Sequence, residues 1–146
     1  MGKHYTYTMK VGDKKLTLKD FKPIFDEYNK KYFYGKLGDC RFMWLLPKAP
    51  LGNYMYDKGV STIGINRKPN HPVTDEYLEE VMIHEMIHMY VRTVENVKID
   101  GVWGHGFYFK KHCLRLYKNY GIKIDIIYLE KRNSWWRRIL MYLFCW

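Results

Sequence analysis

Cysteine is scarce in this chain of 146 residues: there are only three, Cys40, Cys113 and Cys145. An odd number so widely spaced excludes a disulfide framework and any CxxC zinc ribbon, and a reducing cytoplasm is the compartment it fits. Long hydrophobic runs are missing as well. The opening MGKHYTYTMK has no apolar core of the kind a secretory signal needs. The closing SWWRRILMYLFCW reaches less than about 20 Å as a helix, too short for a bilayer core of about 30 Å. Repeats, low-complexity tracts and linkers are absent too, so one compact unit is expected rather than an array or two tethered domains. Acidic residues are few beside basic ones: 15 Asp and Glu against 25 Lys and Arg leave a formal charge of +10. With aromatics at 18% of residues, that balance suits an anionic partner held by cations with aromatic faces nearby.

What is present alternates between strand and helix periods. HYTYTMKVGDKKLTL alternates apolar and polar residues around a break at Gly12-Asp13, the pattern of a hairpin or edge strand. Phe21, Ile24, Phe25, Tyr28 and Tyr32 recur at helical spacing, which predicts a first helix starting near Asp20, with Pro23 in its first turn and Gly35 beyond its end. CRFMWLL, LGNYMYD and VSTIGIN read as three strands, the last two paired as a hairpin. A second helix runs from about Asp75, capped by Thr74, to about Val94. ENVKIDGVWGHG is a loop, FYFKKHCLRLYKNY a third helix ended by Gly121, IKIDIIYLE a strand, and the terminal segment a short amphipathic helix. The expected class is α+β.

Chemistry concentrates in VMIHEMIHMY on the second helix. Residues four apart lie one above the other on a helix, so the imidazoles of His84 and His88 can converge on one ion. Glu85 lies about 100° round the axis, displaced from the ligand face but near enough to serve a water on the metal. This is the H-E-x-x-H arrangement, in which neutral imidazoles hold zinc and the carboxylate handles the proton. A chance match in a chain of this composition is roughly a one-in-a-hundred event. Apolar residues flank both sides of the helix (Val81 and Val91; Ile83, Met86, Ile87 and Tyr90), so it is expected to be buried nearly all round. Buried imidazoles and a buried glutamate need partners, and a metal with its water would supply them.

A catalytic zinc takes three protein ligands and keeps one position open. The metzincin extension is excluded because Val91 and Val94 occupy its glycine and histidine positions. Glu95 lies about 10 Å along the axis from His88, too far to share the ion. His105 in WGHGF is the strongest remaining candidate, since Gly104 and Gly106 let the backbone turn tightly beside it. Imidazole ligands also accept manganese or iron, so zinc is the expectation rather than the sole option.

Three separated motifs together resemble the SprT-like zinc metallopeptidase domain of the Spartan type. They are HEMIH at 84–88; NKKYFYGKL, where Asn29, Tyr32, Phe33, Gly35 and Leu37 are similar to the family's N-x-x-Y-F-x-G-x-L; and GHGFYF, where His105, Gly106 and Phe109 are similar to its G-H-G-x-x-F. Order and spacing agree over about residues 17–120, with 1–16 as an N-terminal strand or hairpin extension and 121–146 as a C-terminal strand plus helix. The resemblance implies a minimal zincin-like fold: a small sheet of three to four strands packed against the active-site helix and two further helices. It also implies one Zn2+ on His84, His88 and His105, Glu85 as general base and acid, a protein substrate, and peptidase activity linked to DNA binding. Many relatives carry a cysteine zinc ribbon after the third helix, and this chain has no such cysteines.

Lys110, Lys111, Arg115 and Lys118 recur along the third helix close to His105 and form a candidate nucleic-acid contact or a solvated basic face. His112, His71 and several tyrosines are available near the site in sequence, each read as a surface or packing residue. Three uses are open for the terminal amphipathic helix. It can dock on its own domain, bind a partner or a second copy, or lie on a membrane surface with Arg137 and Arg138 toward headgroups. The leading expectation is a zinc-dependent endopeptidase; the competing one is a nucleic-acid-binding or regulatory protein whose zinc is only structural.

Overall fold

Secondary structure follows the local chemistry closely through residues 7–68 and 73–124, the part of the chain that the computed structural model describes. A short antiparallel hairpin comes first, β1 (Met9–Val11) and β2 (Lys14–Leu16), turned at Gly12 with φ +55°. A three-stranded sheet follows the first helix: β3 (Cys40–Leu45), β4 (Gly52–Asp57) and β5 (Val60–Asn66), in the order β3-β5-β4. β5 is parallel to β3 and antiparallel to β4. The β4–β5 turn places Lys58 and Gly59 both at positive φ, +46° and +82°, the left-handed pair that a two-residue hairpin of this twist requires. Burial agrees with the order: central β5 is buried continuously from Ile63 to Asn66, whereas edge strand β4 exposes most of its residues.

Helix α1 (Leu18–Tyr32) starts two residues earlier than the sequence pattern predicts. Its N-cap is Thr17, whose backbone N–H and hydroxyl both donate to the Asp20 carboxylate, at 2.6 and 3.0 Å. Asp20 is therefore the third helical residue of a capping arrangement rather than the start, and Pro23 sits inside the helix rather than in its first turn. At the other end the Asn29 carbonyl accepts N–H groups from both Phe33 and Gly35, and Gly35 takes φ +67°. The Asn29 side chain then grips Leu37, its amide donating to the Leu37 carbonyl and its oxygen accepting the Leu37 N–H, both at 3.0 Å. That pair of hydrogen bonds fixes the exit of α1 into β3, so Asn29 and Gly35 act on local backbone while Phe33 and Leu37 fill the core.

Helix α2 (Asp75–Thr93) is capped as expected, with the Thr74 hydroxyl accepting from the Tyr77 N–H at 3.2 Å. It packs on β4, β5 and α3 (Phe107–Tyr120), while α1 packs on β3. Met82, Ile83, Met86 and Ile87 are fully buried, so apolar contact surrounds most of the helix. Each such side chain stabilises the fold by about 1.5–3 kcal/mol through burial, which anchors α2 and fixes the direction in which its polar residues point. Phe21 and Phe25 of α1 meet Phe42 and Trp44 of β3 edge-on or tilted, at 5.4–6.0 Å between ring centroids. The Tyr32 hydroxyl, bonded to Glu79 at 3.0 Å, ties α1 to α2.

The hairpin joins the same core: Met9 and Val11 are buried, and Val11 bridges to Val73 just ahead of α2. Among the described residues the α+β architecture is a three-stranded sheet, a separate hairpin, three α-helices and a 3-10 turn at Val102–Gly104. Residues 122–124 are irregular. The rest of the strand expected over 122–130, the whole terminal helix with its three candidate uses, and His71 all lie outside the described residues. Among the described residues no helix is long and apolar enough to cross a membrane.

Candidate metal centre

Burial of α2 forces His84 and His88 toward the wall it shares with α3, and the loop before α3 brings His105 to meet them. His84 Nε2 lies 3.3 Å from His88 Nε2 and 3.0 Å from His105 Nε2. One ligand atom from each of the three falls within 4.8 Å of the others. A neutral imidazole nitrogen is either donor or acceptor, so no placement of protons lets His84 Nε2 satisfy two facing nitrogens well. A shared cation does. Tetrahedral zinc with bonds of about 2.0–2.1 Å holds its nitrogens roughly 3.3 Å apart, which matches this spacing.

The electrostatics favour the same occupant. Burial, followed by its two histidine neighbours, pushes the His84 pKa down to about 2. Burial and then His105 take His88 to about 3, and burial with the nearby Lys110 takes His105 to about 4 against an opposing pull from Asp100. All three are neutral at pH 7 with lone pairs free to bind. Phe109, fully buried, forms the floor: its ring centroid lies 4.8, 4.6 and 4.7 Å from those of His84, His88 and His105. An apolar floor fixes the rings by packing and keeps the local dielectric low.

His105 is held by a closed loop. The Gly106 N–H donates to the Asp100 carbonyl at 2.8 Å, which closes the turn. The Asp100 carboxylate, itself buried, accepts from the backbone N–H groups of Tyr108 and Phe109 at 3.1 and 2.7 Å. Gly106 is the N-cap of α3 and has no side chain to satisfy those first-turn donors, so Asp100 supplies the oxygen from six residues upstream. A Cβ on Gly106 would lie 2.4 Å from Asp100 Oδ1, and one on Gly104 would lie 3.1 Å from His88 Cε1. The two glycines thus let the loop close on Asp100 and let its backbone pack flat on the His88 ring.

Glu85 is 3% exposed, and burial alone pushes its carboxyl up to about 8. Its neighbour is the backbone of β4: a Cβ on Gly52 would lie 2.6 Å from Glu85 Oε1 and 2.9 Å from Val81 Cγ1. Gly52 is therefore the space into which the glutamate extends.

These shifts set a pH profile for the metal-free protein. The three histidines titrate below their ordinary value of 6.5 when folded, so the stability they contribute is complete above 6.5 and is lost as pH falls toward about 4 and lower. Glu85 has the opposite sign: its contribution is complete below 4.5 and is lost as pH rises toward about 8. Between 4.5 and 6.5 three groups oppose one, so the urea midpoint should peak near pH 6.5 and fall on either side. A midpoint that rises steadily from pH 7 down to pH 5 would contradict this environment.

A model of the SprT-like family matches residues 21–127, from within α1 to beyond α3. The chain belongs to the SprT-like family. It is 28% identical over 127 residues to the DNA-dependent metalloprotease SPRTN of Homo sapiens, an overlap of 81% of this chain and 26% of that protein. The same named proteins of Mus musculus and Danio rerio are 28% and 27% identical over 81% of this chain, and 25% and 20% of their own lengths. The chain thus spans about a quarter or less of the length of these relatives.

The SprT-like residues singled out in the sequence divide by role. His84, His88, His105 and Phe109 form the cluster, whereas Asn29, Tyr32, Phe33, Gly35 and Leu37 hold α1 against α2 and β3. Glu95 stands apart from the cluster, with its carboxylate on the His112 ring and on Lys111 at 3.2 Å. His112 is buried, and its Nδ1 accepts from Arg115 Nε at 3.3 Å, which leaves Nε2–H to donate to Glu95. Of the four expected basic contacts, Lys111 and Lys118 are exposed and Lys110 and Arg115 half-buried. The Arg115 guanidinium turns inward, stacked over Phe33 and Tyr34 at 5.7 and 5.4 Å. Sequence reasoning missed Asp100 and Gly52. Both left a signal: a capless glycine at the start of α3, and a glycine opening a strand.

Proposed function

We propose that this chain is a zinc-dependent endopeptidase that acts on DNA-associated proteins. The observation that carries the reading is three imidazole nitrogens gathered within 4.8 Å of one another, with a buried carboxylate, Glu85, on the helix that supplies two of them. His84, His88 and His105 hold a single Zn2+. When bound, the ion supplies Lewis acidity, which acidifies a coordinated water toward pKa 7 and polarises a carbonyl oxygen, effects of about several kcal/mol. Glu85 takes the proton from the attacking water and returns it to the leaving amine nitrogen. Burial raises the carboxyl's affinity for protons in the metal-free site, and a dication beside it would favour the ionised form that the relay starts from. Phe109 holds the three rings in place, and Asp100 holds His105.

The DNA part of the reading is supported by the relatives being DNA-dependent metalloproteases and by Lys111 and Lys118, exposed on α3, with Lys110 half-buried beside them; Arg115, turned inward, does not contribute. Metal analysis combined with cleavage of a DNA-binding protein, with and without single-stranded DNA, tests both parts. One zinc per chain and DNA-stimulated cleavage are expected; metal-loaded protein that cleaves nothing under any condition would overturn the peptidase reading.

Gly52→Ala provides a sharper check of the glutamate's role. The new methyl group meets Glu85 Oε1 and Val81, so the carboxylate must move by a large fraction of an ångström. Cleavage should fall by about 10- to 100-fold with zinc content unchanged. Full activity in Gly52→Ala would show that the carboxylate position seen here is not the working one.

A further inference from the structure

Residues 95–123 carry six Lys or Arg (Lys98, Lys110, Lys111, Lys118, Lys123 and the inward-turned Arg115) and two acidic residues, Glu95, which is paired with Lys111 and His112, and Asp100. The Asp100 carboxylate is buried and committed to the first turn of α3. The same stretch holds large apolar rings in solvent: Trp103 is 84% and Phe107 72% exposed, with Tyr108 also exposed. Elsewhere the fold buries comparable rings completely, as with Phe21, Phe25, Phe33 and Phe109. These rings are not on a loose tip. Trp103 adopts φ +56°, an unfavourable left-handed conformation for a bulky residue. It is held there by the His105 N–H to Val102 carbonyl bond at 3.1 Å and by the Asp100–Gly106 closure of the same loop. A strained backbone that keeps a tryptophan in water beside a candidate ligand points to a partner for that ring.

The charge selects the partner's class. Exposed ring faces interleaved with lysines, with Glu95 on Lys111 at 3.2 Å as the one partly exposed carboxylate beside them, suit a polyanion that also offers flat faces for stacking. A duplex hides its base faces and would meet the lysines alone. A peptide, even an acidic one, would leave the rings without matching planes. We infer that Trp103, Phe107 and Tyr108, flanked by Lys98 and Lys111, stack and hold an unpaired nucleic-acid strand at the lip of the histidine cluster. Lys111 Nζ already lies 5.3 Å from the Tyr108 ring centre, so cation and stacking face are presented together. Because the loop is closed and strained in its free form, little ordering remains to be done on binding. The consequence for catalysis, a strand that brings its bound protein to the metal, rests on the peptidase reading; the binding itself does not.

The test is fluorescence anisotropy on the full zinc-loaded chain, as wild type and as Glu85→Gln, so that cleavage plays no part. The probes are a thymidine oligonucleotide, an abasic strand of equal length and a duplex. The base-bearing single strand should bind most tightly. Trp103→Ala and Phe107→Ala should each weaken it by about 5- to 100-fold, with abasic binding unchanged, and Trp103→Phe should restore most of the loss. Lys98→Gln should instead lower the slope of log affinity against log salt by about 0.7. Equal affinity for base-bearing and abasic strands, or no effect of Trp103→Ala, would overturn the inference. So would a Trp103→Ala protein with intact strand binding and a raised KM for a protein substrate, which would assign the rings to the substrate.

Discussion

Glu85→Gln protein is expected to bind zinc as wild type does and to lose cleavage by about 10²- to 10⁴-fold, the span that a positioned general base contributes. The amide is nearly isosteric with the carboxylate, so the close packing against Gly52 and Val81 is preserved. The substitution also removes a buried ionisable group whose protonation burial favours, so the fold should not be weakened. The loss should therefore appear in kcat, with metal content and thermal midpoint unchanged. Zinc-loaded Glu85→Gln that cleaves at the wild-type rate would remove the glutamate from the mechanism.

His105→Ala is expected to lower zinc affinity by more than about a hundredfold. Loss of a residue that merely supports a metal ligand costs about 10- to 100-fold, and loss of the ligand itself should exceed that. Two histidines then remain on α2, spaced as before because α2 is fixed by its buried apolar residues. Cleavage should fall with metal occupancy and recover only in part at high zinc. Asp100→Ala should resemble a weaker form of this variant, since it frees His105 without removing it. Competition against a zinc indicator measures both. Unchanged affinity in His105→Ala would mean that the third ligand lies elsewhere.

Much of this arrangement was legible in the sequence because periodicity and spacing carry it. The i, i+4 pair on a helix apolar all round could only face inward, and the glycines beside His105 signalled a tight approach. The β4–β5 hairpin followed from the Lys58-Gly59 turn, whereas the parallel pairing of β3 on β5 had no such local signal. Interactions that depend on tertiary closeness were less legible. The start of α1 is decided by Thr17 and Asp20 rather than by the apolar stripe, which is silent about caps. Asp100 caps α3 across a loop, and neither periodicity nor a local capping box reveals a bond to residues eight and nine positions on. Arg115 shares helical spacing with Lys111 and Lys118, yet Phe33, Tyr34 and His112 draw its guanidinium inward. Spacing alone assigns a residue to a face; the packing of its neighbours decides whether it meets solvent.

The central claim is a metal held by three histidines with a position left open for chemistry. X-ray absorption at the zinc edge on the as-purified protein tests it most directly. The account predicts three imidazole nitrogens at about 2.0–2.1 Å, one further light-atom ligand that exchanges with added anion, and loss of one imidazole in His105→Ala. A sulfur shell or four imidazoles would describe a closed structural site and would contradict it.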